Sequence, residues 1–153
     1  MEEAARKDLK IRNVKYTQSL IGEKTNSNFI MQNKKLKLAL QANAAFSMLS
    51  GLGMLIFHSF IAQWMGITNA KVLLIIGLGL VLFSFSLIRT ARQQPISKKQ
   101  VHIIIWQDWL WVIGSALIIL TQSFGLLTSG YILIGIVAVI VADFAILQKR
   151  FLT

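Results

Sequence analysis

VHIIIWQDWLWVIGSALIIL, residues 101–120, runs for twenty positions with one formally charged side chain, Asp108. At 1.5 Å per residue a helix of this length spans about 30 Å, the thickness of a bilayer's hydrocarbon core. Three further runs match it, at 36–57, 70–88 and 127–147, and their charged residues are only Lys37 and Lys71 at run ends and Asp143. The runs are continuously apolar and lack the two-residue alternation of membrane barrel strands, so the spanning elements are helices. Four spans and short connections predict an all-α integral membrane protein, an up-down four-helix bundle.

With 153 residues, 55% of them hydrophobic, the chain has room for one helical domain and no separate soluble module. The absence of cysteine excludes disulfides and thiolate chemistry, and the single proline, Pro95, lies between the second and third runs. Residues 34–153 form the expected transmembrane domain, and residues 1–33 a basic N-terminal tail. In that tail Arg6, Lys7, Lys10, Arg12, Lys15 and Lys24 oppose Glu2, Glu3, Asp8 and Glu23, while Leu9, Ile11, Val14, Leu20 and Ile21 make no broad apolar face. It reads as a mobile or partly helical segment on the cytoplasmic side. Met31-Gln-Asn-Lys-Lys would also serve as a natural start.

The net charge of +10 is asymmetric. From Met31 onward Lys34, Lys35, Lys37, Arg89, Arg92, Lys98, Lys99, Lys149 and Arg150 flank one side of the bundle, and Lys71 alone flanks the other. The positive-inside rule then places both termini and the 89–99 loop in the cytoplasm of a bacterial inner membrane. Anionic lipid, rather than nucleic acid, is the partner this charge implies.

Inside the spans, polar residues are few. Asn43 lies about six residues into the first span, Asp108 about seven into the third and Asp143 about four from the end of the fourth, all at the basic side. Arg89 or Arg92 can reach toward them. Asn43, Ser47, Ser50, Gly51 and Met54 share one helical face; so do Asp108, Trp111 or Val112, Ser115 and Ile119, and in the fourth span Gly135, Val139 and Asp143. Small and polar faces are how membrane helices approach closely, with Ser47-x-x-x-Gly51 and Ala138-x-x-x-Ala142 in the small-xxx-small form. Since a carboxylate in hydrocarbon costs about 2.5–3.5 kcal/mol, each Asp must be paired, protonated or wet. Three arrangements satisfy this: a cytoplasm-open pocket with Asp108 and Asp143 as proton or cation acceptors, a register-fixing clasp with Asn or Arg, or shallow exposure.

Trp106, Trp109 and Trp111, with Trp64 after the first span, read as membrane-interface anchors; a platform for a quinone or other aromatic ligand is the alternative. His58-Ser-Phe-Ile-Ala-Gln-Trp64 continues the first helix or forms a surface helix. His58 and His102 fall at opposite ends of their spans and cannot share a haem. No catalytic residue, metal site or cofactor is indicated. The chain also aligns with itself: Asn43 over Asp108 and Ser50 over Ser115 at an offset of 65, Ser84 over Asp143 at an offset of 59. This suggests two repeated hairpins.

Gln41-Ala-Asn43-Ala-Ala-Phe-Ser-Met-Leu-Ser-Gly51, Gln107-Asp108-Trp-Leu-Trp-Val-Ile-Gly114-Ser and Ala142-Asp143-Phe-Ala-Ile-Leu-Gln148 together resemble small four-helix bacterial inner-membrane proteins of the DoxX-like group. The resemblance covers about residues 31–151 and implies the fold without implying one activity. Small multidrug exporters fit less well, having a glutamate where Asn43 stands. The expected function is a non-enzymatic accessory or assembly subunit, partnered by another membrane protein or a second copy of itself. The alternatives are a small-molecule or proton-coupled transporter using Asp108 and Asp143, and a quinone-associated redox subunit.

Overall fold

The computed structural model describes residues 2–122 and 124–152; within 2–29 it describes side chains only at Arg12, Lys15, Tyr16, Thr17, Gln18, Leu20, Gly22 and Glu23. Four helices account for it: α1 Glu2–Met65, α2 Lys71–Arg92, α3 Lys98–Thr121 and α4 Thr128–Phe151. Each contains a stretch long and apolar enough to cross a membrane, beginning in α1 at Ile30. The surface agrees: Leu120 is 80% exposed, Ile75 73% and Leu49 72%. So much large apolar surface suits lipid and not water. The chain is an all-α, multi-pass membrane protein.

Two compact units divide it, Met1–Lys34 and Lys35–Thr153. The first is helical from Glu2 onward, where a partly helical segment was expected. Its sequence has no proline and only Gly22 to weaken a helix. Leu9, Ile11, Val14 and Ile21, on which the apolar-face reading rested, lie outside the residues with described side chains, as do Arg6, Lys7, Lys10 and Lys24.

In the second unit α1 runs through a kink at Phe57, where φ −106° and ψ 21° leave the helical region, and continues to Met65. The segment after residue 57 is thus a bent continuation of α1. The other helices outlast their apolar runs at the basic end, α2 to Arg92, α3 from Lys98 and α4 to Phe151. Basic residues in the last turns of α2 and α4 suit the negative end of the helix dipole, and their long stems keep the charge at the edge of the apolar layer.

Packing falls into layers. At the basic end Leu36, Leu40, Leu87, Ala91, Val101, Ile104, Ala145 and Leu152 form a closed apolar core. Lys35 Nζ lies 5.9 Å from the centre of the Phe151 ring there. At the far end α1 caps α4: Leu127 N–H donates to Met65 O (2.9 Å) and the Ser129 hydroxyl to Trp64 O (2.6 Å). Carbonyls at the end of one helix are satisfied by donors at the start of another. The chain turns at Gly66, whose φ of +77° and 2.9 Å clearance to Leu127 both exclude a side chain. Between the ends, Gly51 and Gly77 bring the α1 and α2 backbones together; a Cβ on either would lie under 3.0 Å from the other's carbonyl oxygen. By contrast α3 packs extensively along α4 and little along α2.

Burial follows the offset of 65 between α1 and α3 at four positions. Leu36, Ala39, Leu40 and Asn43 are buried, and so are Val101, Ile104, Ile105 and Asp108 at the matching positions. It does not follow the offset of 59. Ser84 is fully buried while Asp143 is exposed. Buried residues of α2 and α4 coincide instead at a separation of 61, Ser84 with Ala145, Leu87 with Gln148 and Ala91 with Leu152.

Candidate functional site

Directly above the closed core lies a polar layer. Asp108, 2% exposed, accepts a hydrogen bond at Oδ2 from Asn43 Nδ2 at 2.8 Å. Gln148, with no exposed surface, donates from Nε2 to the same oxygen at 3.4 Å. The Ser47 hydroxyl donates to Asn43 Oδ1 at 3.3 Å, and the Ser84 hydroxyl to the Ala44 carbonyl at 2.8 Å. Three helices therefore converge on one carboxyl oxygen. Asn43 and Asp108 stand 65 positions apart, the offset at which the first and third spans align.

Bonds from neutral donors to a charged group are worth about 1.5–3 kcal/mol each. They offset part of the roughly 2.5–3.5 kcal/mol cost of a carboxylate at this depth, the 2.8 Å bond from Asn43 more than the 3.4 Å one from Gln148. Among the described residues no cation pairs with Asp108. Arg89 and Arg92 are exposed on α2. Of the two clasps the sequence allowed, with Asn or with Arg, the one with Asn43 forms, because the closed core of Leu87, Val101 and Ile104 separates the polar layer from the basic end.

Asp143 is corrected as well. It is exposed on α4, whose buried face is Gly130, Val141, Ala145 and Gln148. Val139, assigned to the same inner face, is 63% exposed. The expected face lies two positions, about 200°, from the real one. Asp143 is near enough to the basic end for headgroups and water to solvate it outside the bundle. Gln148 was the residue missed. It adjoins Lys149 and Arg150, and it reads as part of a solvated charged end until the helix is seen to bury one more turn.

Beyond the polar layer the helices part around a cavity of about 450 Å³. From α1 it is lined by Phe46, Ser47, Ser50, Gly53, Met54 and Ile61, and from α2 by Ile76, Gly79, Leu80 and Phe83. Helix α3 contributes Gln107, Asp108 and Trp111, and α4 contributes Leu133, Val137 and Val141. Asp108 Oδ2 is taken by the two amides; Oδ1 accepts neither, and its carboxyl group forms part of the cavity wall. Buried Ala62, Met65 and Leu73 close the far end and the apolar core closes the basic end. Gly79, Gln107 and Trp111, on the weakly packed α2 and α3 sides, are the exposed parts of its lining.

Of the expected interface anchors, Trp64 and Trp106 are well exposed at 50% and 68%. Trp111 lies about 15 Å along α3 from Val101, at mid-span, and lines the cavity, so it is no interface anchor. Trp109, one half-turn before it, is partly exposed.

Fold and site define the class: a small polytopic membrane protein with a carboxylate at the wall of an internal cavity. Comparison with protein-family models, with curated proteins and with solved structures finds no match.

Proposed function

We propose that this chain binds a small molecule inside the membrane, as a carrier or as the ligand-binding part of a larger assembly. The carrying observation is the cavity of about 450 Å³ to which all four helices contribute and whose wall includes the buried Asp108. Mostly apolar cavities with a few convergent polar groups are the common form of small-molecule sites. The basic residues at one end support a bacterial inner membrane with both termini cytoplasmic.

The accessory-subunit reading has one observation in its favour. Asn43, Asp108 and Gln148 lock three helices together, which a purely structural protein also needs. Native mass spectrometry of the protein taken from its own membrane separates the two. The binding reading expects a molecule of a few hundred daltons on the wild-type chain and its loss in Gly79→Phe. Gly79 lines the cavity and has nothing within 4 Å of its would-be Cβ, so the ring enters open space. Recovery of a stoichiometric protein partner, with no small molecule on either chain, would favour the accessory reading.

A further inference from the structure

We infer that the cavity's ligand is a monovalent amphiphilic organic cation, drawn sideways from the bilayer between α2 and α3. This rests on the cavity being a binding site, and three observations specify what fills it. The first is charge. Asp108 is the only charged side chain of the lining, with no Lys, Arg or His to balance it. Its Oδ2 is committed to Asn43 and Gln148, while Oδ1 takes no such bond. A carboxyl group at an otherwise apolar wall can pair with a cation as a carboxylate and rejects an anion, since a second negative charge there would be unpaired in low dielectric.

The second is the aromatic lining. Phe46, Phe83 and Trp111 come from three different helices to the same cavity as Asp108. Aromatic faces attract a desolvated cation through their quadrupoles, most strongly for tryptophan, and accept its apolar body equally well. The third is access. Apolar layers close the cavity at both ends, and the exposed lining residues Gly79, Gln107 and Trp111 lie where α2 and α3 pack little. A molecule entering there must already be in the membrane, which requires apolar groups around its charge. A small inorganic cation would keep its hydration shell and find one carboxylate where it needs several oxygens.

Benzyltrimethylammonium and neopentylbenzene test this, having the same shape with nitrogen exchanged for carbon. Trp64, Trp106 and Trp109 are replaced by Phe so that Trp111 alone reports, in nanodiscs of phosphatidylcholine. The cation should shift Trp111 emission with saturation, and Asp108→Asn should weaken it about thirtyfold or more, the loss expected when one partner of a buried charge pair is removed. Neopentylbenzene should bind at least tenfold more weakly to the wild-type cavity and be indifferent to Asp108→Asn. Equal binding of both compounds would overturn the cation and leave an apolar cavity for lipid tails or neutral ligands. Silence of Trp111 toward both would overturn the binding reading itself. Should the triple variant not fold, calorimetric titration of both compounds into the wild-type chain and into Asp108→Asn gives the same comparison.

Discussion

At Asp108 one oxygen carries two amide donors, and they are not equivalent. Asn43 sits at 2.8 Å and is itself held by Ser47; Gln148 sits at 3.4 Å and leaves its Oε1 buried without a partner. An unpaired buried carbonyl costs about 1–3 kcal/mol, roughly what its amide partner contributes on the other side. Asn43→Leu should therefore destabilise the bundle by about 2–3 kcal/mol, whereas Gln148→Leu should change it by less than about 1 kcal/mol. Leu87 already fills the position matching Gln148 in the first hairpin, so leucine fits such a site. Unfolding in mixed micelles measures both; a costlier Gln148 substitution would overturn this ranking. These residues also show what the sequence could tell. Asn43 and Asp108 were legible because a polar group deep in an apolar run has few places to go, and because the repeat set them opposite one another. Asp143 misled, since polarity alone does not say whether a shallow carboxylate is solvated by the bundle or by the headgroups. Gln148 was hidden by the charges beside it.

Helices in lipid gain nothing from burying apolar groups against each other, so their contacts depend on shape. The approach of α1 to α2 shows this: Gly51 and Gly77 leave under 3.0 Å for a Cβ on either side, against backbone oxygen, which cannot move aside. Gly51→Ala or Gly77→Ala should cost about 1–3 kcal/mol through forced separation of the helices. Gly53 lies half a turn from Gly51, with nothing within 4 Å of its would-be Cβ. Gly53→Ala should be neutral or slightly stabilising, as alanine is the better helix former. Comparing the three variants by thermal unfolding in one detergent separates packing from propensity, and a Gly53 cost equal to the others would sink the argument. The sequence announced the helices by length and marked Ser47-x-x-x-Gly51 as a close face. It did not announce the partner glycine on α2, because which of Gly77 and Gly79 faces α1 depends on a rotation that an evenly apolar helix leaves unmarked. Helix ends were underestimated for a related reason: hydropathy stops where lysine and arginine begin, while the backbone hydrogen bonds run on.

Across the whole molecule, charge and packing make separate statements about the two sides of the bilayer. Nine of the ten basic residues from Lys34 onward flank one end, which is why we propose a cytoplasmic location for both termini. Packing, in turn, closes the cavity from both ends, with Leu40, Leu87 and Val101 fully buried below it and Ala62, Met65 and Leu73 buried above. The absence of native cysteine lets one set of experiments address both. Cysteines at Asn69 and Ser129 should react with an impermeant maleimide in intact cells, and a cysteine at Gln94 only after the membrane is opened. The reverse pattern would invert the topology. A cysteine at Gly79 should resist the impermeant reagent on either side, before and after lysis. Gly79 is exposed, but in the middle of an apolar span where only the bilayer meets it. Reaction with the impermeant reagent after lysis would mean that water reaches the cavity through the basic end. The apolar core would then be a gate, and a cytosolic solute would replace a membrane-dissolved one as the expected ligand.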